Sequence, residues 1–143
     1  MRAAPPVVAM PSHELLPHTG EIQVRIEGTS VIELFAEAAR ALAELLGVAA
    51  REPAGVWQPI SLDGHDREAL LVAWLDELIA HTEIDHLLFT EVAIDELSEH
   101  RLRARIRGTP IAATRTAVKA ATFHQLRIEV AGGHARTTIT LDV

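Results

Sequence analysis

Ile22-Gln23-Val24-Arg25-Ile26 alternates apolar and polar side chains, the period of a strand with one face buried, and Gly28 closes it. The period then lengthens. Val31, Leu34, Phe35, Ala38, Leu42, Leu45 and Leu46 share one face of a helix, while Glu33, Glu37, Arg40 and Glu44 fall largely on the other. Ser30 followed three residues later by Glu33 has the spacing of a capping box, and Gly47 is a natural stop. A loop is predicted over 51–55 and a strand over 56–62, which Pro59 pushes towards a sheet edge because it lacks an N–H for a second neighbour. Asp63-Gly64-His65-Asp66 combines turn chemistry with a helix start. The second helix is predicted over 67–80, on a stripe of Leu70, Leu71, Trp74, Leu75, Leu78 and Ile79, which makes Trp74 a core residue.

From Leu87 onward the helical period disappears. Strands are predicted over 88–94, 101–107, 116–120, 126–130 and 136–141, and Ala131-Gly132-Gly133-His134 supplies a hairpin turn with glycines where positive φ is needed. Arg101, Arg103, Arg105 and Arg107 recur at every second position, so one face of that strand meets solvent or a charged partner. Two helices among antiparallel strands predict an α+β fold: a single domain, mainly antiparallel sheet, with the two amphipathic helices packed on one face.

Composition agrees with one packed domain. A chain of 143 residues buries about 68–70% of its extended surface, and 48% hydrophobic residues supply a core built from Leu, Ile, Val and Ala, since aromatics are only 3%. With no cysteine there are no disulfides and no thiolate metal sites, which fits a reducing compartment. The net charge of −7 repels phosphate backbones, so direct nucleic-acid binding is not expected, although an acidic module can assist a basic, RNA-handling partner. Pro5, Pro6 and Pro11 interrupt the only short apolar run before the first strand. Residues 1–16 therefore read as a flexible leader, no membrane segment is expected, and the expected location is the cytoplasm.

An acidic residue stands at each end of the folded part: Glu21 in His18-Thr19-Gly20-Glu21-Ile22, and Asp142 in Leu141-Asp142-Val143. Carboxylates and the terminal carboxylate of Val143 are hard oxygen donors of the kind that bind calcium, provided the fold brings them together. The plain alternative is two solvated carboxylates at strand ends. Val118-Lys119-Ala120-Ala121-Thr122-Phe123-His124 adds a lysine and a histidine among small residues. No nucleophile motif and no phosphate loop accompanies them.

Together these motifs resemble the archease family: a His-Thr-small-acidic opening, a first helix with Leu-Phe-Ala-Glu-Ala-Ala, a second with Leu-Leu-x-x-Trp-Leu-x-Glu-Leu, the Lys-Ala-Ala-Thr-Phe-His segment, and a C-terminal Asp-Val. The resemblance covers nearly everything after Leu16 and implies an archease-like domain over 17–143. It implies an accessory protein without chemistry of its own that activates an RtcB-type RNA ligase, promoting its guanylylation and turnover in tRNA splicing or RNA repair. It also implies a divalent-metal site, calcium in the family, held by Glu21, Asp142 and the main chain of Val143, with His18, Lys119 and His124 as second-shell or partner contacts. The chain departs from the family pattern at Pro17 and Glu21, each an Asp there, at Gly20, and in the segment 108–115, expected to be a loop. Two other readings stay open: a metal-dependent hydrolase using the same acidic site, and a metal-free chaperone or interaction module that kept the fold and lost the site.

Overall fold

The computed structural model describes residues 10–18 and 20–143, and of Pro17 and His18 the backbone only. Among the described residues nine strands and two helices follow in the order β1 (Ser12–His18), β2 (Glu21–Gly28), α1 (Val31–Leu46), β3 (Gly47–Ala49), β4 (Gln58–Asp63), α2 (Arg67–Asp85), β5 (Leu87–Leu97), β6 (Arg101–Thr114), β7 (Ala120–Thr122), β8 (Glu129–Ala131) and β9 (His134–Asp142). Every strand pair is antiparallel. The strands form two sheets. One runs β1-β2-β9-β7 with β8 also on β9, and in the other β6 carries β3, β4 and β5. The α+β class and the two helices are as expected, but the strands divide between two sheets.

Both helices contact strands of both sheets. A single core cluster gathers Val24, Ile26, Ile139 and Leu141 from the first sheet, Ile60, Leu102 and Ile106 from the second, and Leu34, Phe35, Leu71 and Trp74 from the helices. The Ser30 side chain accepts from the Glu33 N–H, the forward half of the capping box, while the Glu33 carboxylate reaches back to the N–H of Thr29, one residue before the cap. Asp66 caps α2 by accepting from the Ala69 N–H. Trp74, fully buried, donates its indole N–H to the Phe35 carbonyl at 3.0 Å and ties α2 to α1.

Several local expectations change. The leader expected over 1–16 ends earlier: residues 1–9 lie outside the described residues, but Ser12–His18 is a strand in register with β2. Pro17 lies within that strand, and an edge strand tolerates a residue without an N–H. The segment 108–115 is mostly the far end of β6, not a loop. A Cβ on Gly108 would lie 2.5 Å from the Leu88 carbonyl oxygen, so glycine permits strand contact there instead of breaking the strand. Gly47 stops α1 as expected, though with an extended φ of 176°, and begins β3 opposite Thr114. The strand expected over 116–120 is shifted to Ala120–Thr122.

Candidate functional site

The β2–β9 register sets Glu21 directly opposite Asp142, and the β7–β9 register sets Ala120 opposite Asp142 on the other side. Directly opposed residues of antiparallel strands project to the same face. Val24, Ile26, Ile139 and Leu141 point to the core, so by alternation Glu21 and Asp142 stand together on the outer face, Asp142 exposed and Glu21 partly so. The main chain closes the corner. The Lys119 N–H donates to the Asp142 carbonyl at 2.8 Å, and the Val143 N–H donates to the Gly20 carbonyl at 3.4 Å. Three segments far apart in sequence thus meet at one end of the first sheet.

Among the described residues neither Glu21 nor Asp142 makes a side-chain hydrogen bond or ion pair with another side chain. Carboxylate oxygens are the hard donors that calcium or magnesium requires. Two carboxylates and nearby main-chain oxygen supply only part of a shell of six to eight oxygens, so water completes any site here. Among the described residues no cluster of three or more His, Cys, Asp and Glu converges with metal-holding geometry. The His18 side chain lies outside the described residues. Its backbone stands opposite Glu21 in the β1–β2 register.

Lys119 reaches the corner through its backbone and has an exposed side chain. His124 lies on the exposed turn after β7, its N–H donating to Thr122 Oγ1 at 3.3 Å, beside Phe123, which is 60% exposed. No hydrogen bond or ion pair of the described residues joins His124 to Glu21 or Asp142.

Sequence reasoning missed what holds this corner in place. Asp76, in the middle of α2, accepts the Ala121 N–H at 2.9 Å, and Glu68 accepts the Ile128 N–H at 3.1 Å. Those two helix carboxylates fasten β7 and the segment just before β8 to α2. The available signal was Asp76 itself, a weak helix former placed mid-helix, where its carboxylate competes for backbone donors.

The arginine ladder is a second candidate surface, and its charges are largely answered from within. Arg101 pairs with Asp63, Arg105 with Asp95 and Arg107 with Glu91. Hydrogen bonding from Arg105 holds the Asp95 carboxyl below the usual carboxylate range. The Arg105 and Arg107 guanidinium groups also lie 5.2 and 4.3 Å from the Trp57 ring centroid. A strand of arginines already paired with carboxylates gains little from a phosphate backbone.

The model of the archease protein family (MTH1598/TM1083) matches residues 13–143. Protein archease of Sulfurisphaera tokodaii is 29% identical over 140 residues, covering 94% of this chain and all of that one. Protein archease of Methanopyrus kandleri is 33% identical over 124 residues, covering 81% of this chain and 88% of its own. Among solved structures, protein 1598 of Methanobacterium thermoautotrophicum superposes with a TM-score of 0.73 at 27% identity, over 92% of this chain and 98% of that one. An archease of Thermotoga maritima, described as a possible chaperone, shares the fold at a TM-score of 0.66 and 21% identity, over 100% and 99% of the two chains. With the family match running from β1 to the last residue, and relatives aligned along most of their own length, the chain belongs to the archease family.

Proposed function

We propose that this chain is an accessory factor, not an enzyme, that promotes guanylylation and turnover of an RtcB-type RNA ligase in the cytoplasm. In this reading Glu21, Asp142 and the main chain of Val143 hold a divalent cation, calcium first, and Lys119, His124 and His18 face the ligase. The supporting observation is the in-register pairing of Glu21 with Asp142, whose side chains have no hydrogen-bonding or ionic partner among the described residues. A bound cation would supply positive charge between two carboxylates. The chain's own part is to fix them on one face, through the β2–β9 ladder and the Lys119 N–H to Asp142 bond.

The test is ligase guanylylation by GTP, followed under single-turnover conditions with and without this protein, in calcium and in chelator. Acceleration by the wild type that Asp142→Asn abolishes, with circular dichroism unchanged, supports the reading. No acceleration by the wild type sinks it. Acceleration that survives Asp142→Asn removes the corner from the mechanism and leaves a metal-free interaction module. The hydrolase reading gains only if a phosphoester panel is turned over without the ligase.

A further inference from the structure

His13 bridges two carboxylates. Its Nδ1 lies 2.6 Å from Glu37 Oε2 and its Nε2 lies 2.6 Å from Glu44 Oε2, so both ring nitrogens of one β1 residue face acids on α1. A neutral imidazole carries a single N–H, so at one of these contacts it would set a lone pair against a carboxylate oxygen. Only the imidazolium donates at both. The site is sheltered: the His13 side chain is 19% exposed and that of Glu37 8%, against 53% for Glu44.

We propose that His13 is a pH-sensitive latch pinning the edge strand β1 to α1, closed by the imidazolium and released by its deprotonation. Among the described residues β1 has β2 as its one sheet neighbour, and it ends at His18, opposite Glu21. Release at His13 therefore loosens the strand that leads into the Glu21–Asp142 corner. This stands apart from the ligase reading, since it needs neither cation nor partner.

The charged surroundings are few. From α1 come Glu37, Glu44 and Arg40, whose Nε donates to Glu37 Oε1 at 2.8 Å. From the segment after β6, Arg115 donates to the Glu44 main-chain carbonyl at 3.1 Å. From β2, Ile26 lies opposite His13, while Arg25 belongs to the other face, where it pairs with Glu14. Burial pulls the His13 pKa down, but hydrogen bonds and charge from Glu37 and Glu44 outweigh it and hold the ring above its ordinary 6.5. A base with a raised pKa in the closed state favours closure fully below its opened-strand pKa, and the advantage is lost as pH rises through the closed-state value.

The experiment is ¹⁵N NMR of the imidazole rings together with amide hydrogen exchange, expressed as protection factors, over pH 6–9. His13 is expected to keep both ring nitrogens protonated beyond 6.5. Protection of the β1 amides should fall across its titration, by about tenfold for each unit separating the closed-state from the opened-strand pKa, while α1 amides stay level. Titration of His13 at or below 6.5, or β1 protection that stays flat through it, overturns the latch. His13→Gln should leave β1 weakly protected at every pH. Should that variant fail to dock β1 at all, Glu44→Gln keeps the buried Glu37 contact and should move the transition to lower pH; an unmoved transition is refuting.

Discussion

Replacing Asp142 by asparagine should raise stability without a cation and lower it with one. Glu21 and Asp142 are direct cross-strand partners on one face, so their Cβ atoms stand about 4.5–5.5 Å apart and the carboxylates at roughly 6 Å. Coulomb's law at that separation gives about 0.7 kcal/mol in a water-like dielectric and about 2.8 kcal/mol at a protein surface value. Asp142 is exposed, so the lower end applies, in line with the ~0.2–1 kcal/mol found for opposed cross-strand charges. Asp142→Asn keeps the shape and removes the repulsion, which in chelator should raise Tm by about 1–4 °C for a domain of this size. A cation at a hundredfold its Kd adds about 2.7 kcal/mol to whichever protein binds it, or about 10 °C. Wild type should gain that and the variant little, so the order of the two melting curves reverses. Circular dichroism melts in EDTA and along a calcium series read this directly. A variant that melts below wild type in EDTA, or equal calcium shifts in both, refutes the reasoning.

Other substitutions test how the corner and its frame are held. Ser30→Ala removes the N-cap of α1 and should cost about 1 kcal/mol, read as a lower urea midpoint at unchanged m. Gly108→Ala places a methyl 2.5 Å from the Leu88 carbonyl oxygen; backbone must move, and a loss of about 1–3 kcal/mol is expected in the same assay. Asp76→Ala leaves the Ala121 N–H without its acceptor in a part-buried position, at about 1–3 kcal/mol. The loss should appear locally, as faster exchange of amides around β7 while α1 keeps its protection.

Elements that depend on neighbours close in sequence were readable, and those that depend on distant ones were not. α1 carries its period, its cap and its stop within a few residues of itself, and its predicted limits hold. Glu37 was assigned to the polar face of that helix, yet it is buried. Its burial is tolerable only because His13 and Arg40 answer its charge, and His13 comes from another strand. The three-residue strands β3 and β7 have no period to read, since their position is set by β6 and β9. Gly108 and Pro110 look like punctuation but serve a strand whose backbone passes close to Leu88. The corner follows the same rule. Spacing says nothing about Glu21 meeting Asp142; the family resemblance paired them, and the β2–β9 register places them face to face.

The distribution of charge argues for the corner more strongly than the net charge does. On the second sheet, Asp63, Glu91 and Asp95 are matched by arginines of β6. On the first sheet, Glu14 and Glu129 are matched by Arg25 and Arg136, and Glu37 on α1 by Arg40. Glu21 and Asp142 share one face and make no side-chain ion pair among the described residues. A matched acid loses a partner when something new binds, so its net gain is small. An opposed pair of like charges instead sheds repulsion when a positive group arrives. In a chain of net charge −7, an arriving positive charge would relieve that repulsion at this end of the β2–β9 ladder.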